Sequence, residues 1–292
     1  MKLKKDYYTD FNIKAAVRLI KLALKEDIGT GDATSELLIK KKSVSQAELL
    51  FKESGIAAGL NIFNLVFRLI DKNVRIGFTV NEGDKISKGT VIGILKGKSS
   101  SLLKGERLSL NILQRMSGIA TYTNRLVRLL GNDSIKLIDT RKTTPNFREF
   151  EKLAVRIGGG FSHRSGLYDM ILIKDNHIEA CGGISETLKK VKKSGKFRDL
   201  KKEIEVKDLS EFELVLKSGK GIIDRIMLDN FKINDVVKAS EMNKGKYELE
   251  VSGGISESNI MKYKRIKGID YISAGSLTHS SKALDISLNF VT

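Results

Sequence analysis

Residues 158–177 read GGGFSHRSGLYDMILIKDNH. The apolar run Met170–Ile173 is too short for a helix and suits a buried strand. Glycines, His163 and Arg164 precede it, and Lys174, Asp175, Asn176 and His177 follow at once. Two of the chain's three histidines lie in these twenty residues. A buried strand fenced by charge fits a parallel sheet whose strand ends open onto a polar site.

The same design recurs on both sides. IKLID (135–139), MILIK (170–174), EIEVK (203–207), RIMLD (225–229), LEVS (249–252) and DYISAG (270–275) are short apolar runs separated by amphipathic stretches. Repeated βα units imply a parallel sheet, either doubly wound or closed into a barrel. A barrel is preferred because several runs end alike, in Asp139, Lys174, Asp229, Ser252 and Gly275. In α/β barrels such ends converge on one mouth, whereas a doubly wound sheet concentrates function at one switch point. Six clear strands predict an incomplete barrel.

Upstream the pattern differs. Ile13, Ala16, Val17, Ile20 and Leu24 keep helical spacing over 11–26, and GTGDATS (29–35) breaks it. Strands are predicted at 47–53, 74–80 and 90–97, with NEGD turning the chain between the last two, and a helix at 59–70. A long helical region runs from Arg107 to about Leu130, with Gly118 a weak point. The first hundred residues thus mix helices with antiparallel strands.

Composition narrows the class. The 292 residues are 41% hydrophobic, enough for two domains or one large barrel. No apolar run spans a bilayer, and the basic start MKLKKDYYTDF lacks the apolar stretch of a signal peptide. One cysteine, Cys181, excludes an internal disulfide and offers no zinc cluster, which fits a reducing cytoplasm. The net charge of +17 favours anionic partners. Its lysine runs are dispersed and carry no interleaved aromatics for stacking bases, which argues against a nucleic-acid-binding protein.

The mouth collects a consistent chemistry. Arg141, Lys142, Arg164 and Lys174 supply positive charge, and guanidinium forks suit carboxylates or phosphates. Glu205 and Asp229 suit ribose hydroxyls, or Mg²⁺ held beside a pyrophosphate. The glycine turns at 158–160, 252–254 and 273–275 expose backbone N–H groups to a phosphate. His163 and His279 lie near. Singly each signal is weak: GGG is usually a loop, and a lone histidine is usually structural. Together they describe a site for a polyanion carrying a sugar, with or without an added carboxylate.

The motifs DTRKTTP, GGGFSHRSGLYDMILIKDNH, EIEVKDL, IMLDN, LEVSGGI and GIDYISAGSLTHS resemble, in order, those of the quinolinate phosphoribosyltransferase family. EDIGTGDATS and GERLSLNILQRMSGIAT match its N-terminal half. The resemblance implies an N-terminal α/β sandwich-like domain over 1–117, an open α/β barrel over 118–276, and a segment, 277–292, returning to the first domain. It implies that quinolinate and phosphoribosyl pyrophosphate, with Mg²⁺, yield nicotinate mononucleotide, pyrophosphate and CO₂ in NAD synthesis. A cytoplasmic homodimer with composite sites is expected.

By motif position, Arg141, His163 and Arg164 resemble the quinolinate binders, with Arg107 reaching in from a neighbouring subunit. Lys142 and Lys174 resemble the cations serving both substrates. Glu205 and Asp229 resemble the ribose and Mg²⁺ side, and Ser252, Gly253, Gly254 and Gly275 the 5-phosphate cradle; His279 fits a nearby family position. Ser162 stands where the family usually has Asn, and Asn146 where it usually has Gly. The related molybdenum-transport-associated homologues share the fold, but the intact LIKDNH argues against them.

Overall fold

The computed structural model describes residues 7–291. They form two compact units. The first comprises the chain up to Asn124, Thr143–Gly159 and the stretch from Leu277; the second comprises Arg125–Lys142 and Gly160–Ser276.

In chain order, the elements begin with α1 (Ile13–Ile28), α2 (Ala33–Leu38), β1 (Val44–Phe51), β2 (Gly55–Ile56) and α3 (Leu60–Ile70). Then come β3 (Arg75–Phe78), β4 (Lys85–Ile86), β5 (Thr90–Lys98), α4 (Ser99–Leu130), β6 (Lys136–Ile138) and α5 (Arg148–Ile157). The repeats follow: β7 (Ile171–Ile173), α6 (Asp175–Cys181), α7 (Ile184–Lys193), β8 (Lys202–Val206), α8 (Leu209–Ser218), β9 (Arg225–Asp229), α9 (Ile233–Asn243) and β10 (Glu248–Ser252). A 3₁₀ turn, β11 (Tyr271–Ser273), α10 (Ser276–His279) and β12 (Ile286–Val291) complete the chain.

The first unit is built on an antiparallel sheet of order β12-β1-β5-β3. Its Phe51 and Leu95 pack with Phe63, Phe67 and Leu102 of α3 and α4, with almost no exposure. Burying each such side chain stabilises by roughly 1.5–3 kcal/mol. On α1 the expected stripe is only partly inward: Ala16, Ile20 and Leu24 are buried, while Ile13 is 51% exposed. The start of α3 is capped from a distance. The buried Glu82 carboxylate accepts N–H bonds from Gly59 and Asn61 and a hydroxyl from Tyr8, filling a helix N-terminus that has no side-chain cap of its own.

Helix α4 begins at Ser99, eight residues before the expected start at Arg107. The run SSSLLKG lies ahead of the predicted start, yet it is helical, and its Gly105 sits where a Cβ would lie 2.4 Å from the Phe67 ring. Gly118 has the same logic: a Cβ would meet the Lys282 carbonyl at 2.0 Å. It is a point of close approach rather than a weak point. The limit expected after residue 117 falls inside this continuous helix, whose residues group with the first unit through Asn124.

The second unit holds the six predicted strands in one parallel sheet of order β6-β11-β10-β9-β8-β7. The first strand pairs with the last, and β6 and β7 do not pair, so the barrel is open between them. A single parallel bridge from Ile138 to Phe161 lies beside β6. Strand β8 is buried on both faces from Glu203 to Val206, as an α/β barrel strand is. Among the described residues, no helix is long and apolar enough to cross a membrane.

Candidate active site

The strand ends of the second unit gather most of the sequence-predicted residues. Lys174 directly follows β7, and its backbone N–H donates to His177 Nδ1 at 3.0 Å, so His177 caps the turn into α6. The Lys174 ammonium lies 3.5 Å from Glu205 Oε2 on the neighbouring strand. Burial raises the Glu205 pKa; Lys174 opposes this, and the charges of Asp229 and Asp175 reinforce it. Glu205, Asp229 and Asp175 line a cavity of about 410 Å³. Its hard oxygen donors suit Mg²⁺, which keeps part of its water shell and takes only one or two carboxylates. Glu205 and Asp229 are therefore the residues that would hold that ion.

Asp229 is oriented by a residue that sequence reading missed. The Asn230 amide donates to its carboxylate at 2.7 Å, and the Asn230 backbone is left-handed, φ 55°. Asn230 also packs so closely on Gly253, φ 101°, that a Cβ there would come within 2.2 Å of its Oδ1. An asparagine after a strand-end aspartate was the available signal, since asparagine tolerates this backbone. Ser252 ends β10, Gly253 and Gly254 turn away with positive φ, and Gly275 follows the adjacent strand β11. Ser276 tethers the two turns by donating to the Ile255 carbonyl at 2.9 Å.

Arg141 and Arg164 form a second group of charge in the same unit. The pKa of Arg164 is lowered by burial and by the charge of Arg141, so the two guanidiniums lie within electrostatic reach of each other. Such a pair suits a ligand with two carboxylates. Lys142 is exposed, its N–H bonded to Thr140 Oγ1 at 3.0 Å. The loop carrying Arg164 is folded on itself: Asp169 accepts N–H bonds from Ser165 and Gly166, and Arg164 Nη1 donates to the Met170 carbonyl at 3.3 Å.

His163 is not on the surface of this site. Its side chain is 5% exposed, and Nε2 lies 3.0 Å from Glu203 and 3.4 Å from Glu250. Nδ1 accepts the Arg164 N–H at 2.7 Å, and the His163 N–H donates to Asp139 at 2.9 Å. Burial pulls the ring's pKa down, but the two carboxylates outweigh it and raise it to about 9. Glu203, desolvated beside Glu250, is raised to about 7. Both shifts mean that the cluster keeps a proton that separate groups would have lost. With Nδ1 accepting a hydrogen bond, Nε2 carries the ring's proton and the shared one lies on the carboxylate side. There the Oε1 atoms of Glu203 and Glu250 have no hydrogen-bond partner among the described residues. Glu203 and Glu250 were missed as site residues; alternation along EIEVK and LEVS, which turns one face of each strand inward, was the signal.

Arg107 and His279 belong to the first unit. Arg107 is exposed on α4, with only a loose contact to Glu106 at 3.8 Å, and it sits two turns inside the helix rather than at its head. His279 is exposed and bonded to Ser280 Oγ at 2.6 Å.

The model for "Quinolinate phosphoribosyl transferase, N-terminal domain" matches residues 32–117, and that for the C-terminal domain matches residues 119–289. A probable nicotinate-nucleotide pyrophosphorylase [carboxylating] of Bacillus subtilis is 44% identical over 265 residues, covering 90% of this chain and 89% of its own. Quinolinate phosphoribosyltransferase [decarboxylating] 1b of Nicotiana tabacum is 39% identical, covering 94% and 82%. Among solved structures, NadC from Streptococcus pyogenes superposes with a TM-score of 0.90 at 38% identity, covering 97% of this chain and all of that one. The nicotinate-nucleotide pyrophosphorylase of Francisella tularensis does so at 0.88 and 40%, covering 96% and 97%.

Proposed function

The chain belongs to the quinolinate phosphoribosyltransferase family, and on that premise we propose that it converts quinolinate and phosphoribosyl pyrophosphate to nicotinate mononucleotide, pyrophosphate and CO₂, a step of de novo NAD synthesis. The observation that carries this reading is two charge groups in the second unit: Arg141 and Arg164 within electrostatic reach of each other, and Lys174 beside Glu205 with Asp229 in reach of the same carboxylate.

The chemistry needs no activated serine or cysteine. The pyridine nitrogen attacks the anomeric carbon, and the C–O bond to pyrophosphate breaks with its electrons leaving on oxygen. Lys174 and Lys142 offset the charge that develops there. Glu205 and Asp229 sit where positive charge on the ribose is tolerated. Bound Mg²⁺ supplies further charge neutralisation at the pyrophosphate. The ribosylated ring nitrogen is then cationic. The C2–carboxylate bond breaks, CO₂ leaves, the electron pair stays on C2 beside that cation, and a proton from solvent replaces the carboxyl group. Arg141 and Arg164 hold the dicarboxylate in register for both steps.

The proposal includes Mg²⁺ at Glu205 and Asp229, a cytoplasmic location, and a homodimer in which Arg107 serves the partner's barrel. Leu37 and Leu38, 83% and 70% exposed on α2, are apolar surface of the kind such an interface covers. The test is stoichiometry: purified protein, Mg²⁺ and both substrates should yield CO₂, mononucleotide and pyrophosphate in equal amounts. No turnover of quinolinate in folded protein would overturn the reading.

A further inference from the structure

Beneath the two arginines the barrel interior is polar where a core is normally apolar. Glu203 on β8, Arg225 on β9 and Glu248 on β10 are register neighbours, and Glu250 lies two residues further along β10. The Arg225 guanidinium reaches Glu250 at 3.0 Å, Glu248 at 3.1 Å and Glu203 at 3.9 Å. The Tyr271 ring stacks 3.7 Å from its central carbon. Glu203 and Glu250 are completely buried. Burying carboxylates is costly unless each is paired, so this interior layer needs a reason.

The spacing of His163, Glu203 and Glu250 would admit a metal ion. The Arg225 guanidinium already occupies the place of the cation, so the cluster is complete as a salt-bridged network. Its upper end is His163, and the ring is held on both edges: Nε2 by the two carboxylates, Nδ1 by the backbone N–H of Arg164. Asp139 at the end of β6 fixes the same peptide from the side. The residue whose backbone is thereby fixed is Arg164, one of the two guanidiniums that the functional reading assigns to the dicarboxylate.

We propose that Glu203 and Glu250 are positioning residues for acid recognition: they clamp the His163 ring from below, and the clamped ring sets the backbone from which Arg164 reaches the substrate. The inference rests on the functional reading above. It gives His163 a role different from direct contact with quinolinate, and it gives the interior carboxylates a task that neither touches the substrate nor stabilises the barrel for its own sake. The layer below, Arg225 on Tyr271 and Glu248, offsets the repulsion between the two carboxylates and holds both in place.

The test uses Glu203→Gln and Glu250→Gln, which keep shape and remove charge. In each, KM for quinolinate should rise about tenfold, the factor that about 1.4 kcal/mol of lost binding gives, while KM for phosphoribosyl pyrophosphate stays within about twofold. A barrel that had merely loosened would move both. Unchanged quinolinate KM in a folded, active variant, or equal rises in both KM values, overturns the inference. Should neither variant fold, ¹⁵N-histidine-labelled wild-type protein decides, with the His163 ring assigned by its proximity to Glu203. Saturating quinolinate should leave the ring's Nε2–H and Nδ1 resonances in their hydrogen-bonded state. A ring that leaves the carboxylates to meet the ligand overturns the proposal. Wild-type protein inactive on quinolinate would overturn the functional reading and this inference together, whereas active wild type with unaffected variants would overturn this inference alone.

Discussion

Lys174 is half-exposed, follows β7, and lies 3.5 Å from Glu205. Its surface setting makes it nearly irrelevant to stability, since exposed ion pairs contribute little. Charge at that place matters when pyrophosphate leaves, so Lys174→Ala should cost on the order of 2–4 kcal/mol in the chemical step with an unchanged melting temperature. Near-normal kcat would remove Lys174 from the mechanism. His163 behaves in the opposite way. The proton that it shares with Glu203 and Glu250 is held more tightly than usual, which raises the pKa counted on the ring from the ordinary imidazole value of 6.5 to about 9. A raised pKa in the folded state stabilises the fold fully below about 6.5, and that contribution is lost as pH rises through about 9. The groups facing the ring are Glu203 and Glu250, with Arg225 behind them and Asp139 at its peptide. Melting temperature should therefore fall between pH 6.5 and 9.5, and the fall should shrink in His163→Asn. A variant with the same pH profile as wild type would show that the clamp is not the titrating group.

The strands of the barrel were legible because each is a short apolar run buried on both faces, and the residues closing each run were legible as site candidates. Lys174, Glu205, Asp229 and Ser252 all stand at strand ends for that reason. What the sequence hid was interior: Glu203, Arg225 and Glu250 look like the polar half of an alternating strand, and the alternation, which separates the two faces, does not by itself say that the polar one points into the barrel. The long helix was misread for a related reason. Gly118 reads as a weak point and Gly105 lies ahead of the predicted start, yet each is a contact inside α4, with the Lys282 carbonyl and with Phe67. Helix α2 was hidden because GTGDATS reads as a turn, although Asp32 caps it by accepting the Ser35 N–H. Gly118→Ala pushes a methyl group against backbone that cannot yield cheaply, so it should destabilise by about 1–3 kcal/mol, where Ala in an ordinary helix interior stabilises. A melting temperature equal to or above wild type would mean that the segment after α10 does not pack on α4 in solution.

At the scale of the whole molecule, Arg107 is a site residue by motif and an exposed residue of the first unit by structure. If it serves a partner subunit, two inactive variants should repair each other. Mixing Arg107→Ala with Lys174→Ala under subunit exchange puts both defects in one site of each mixed dimer and neither in the other. Random pairing makes about half of the dimers mixed, so roughly a quarter of wild-type activity should return. No return, with exchange verified by a tag on one variant, would place Arg107 in its own barrel or outside the site. The central claim, that Arg141 and Arg164 together select a dicarboxylate, is tested most directly by the ratio of kcat/KM for quinolinate to that for nicotinate. Nicotinate lacks one carboxylate and leaves a guanidinium unmatched, so the ratio should be at least about a hundredfold. Equal use of the two acids would contradict it.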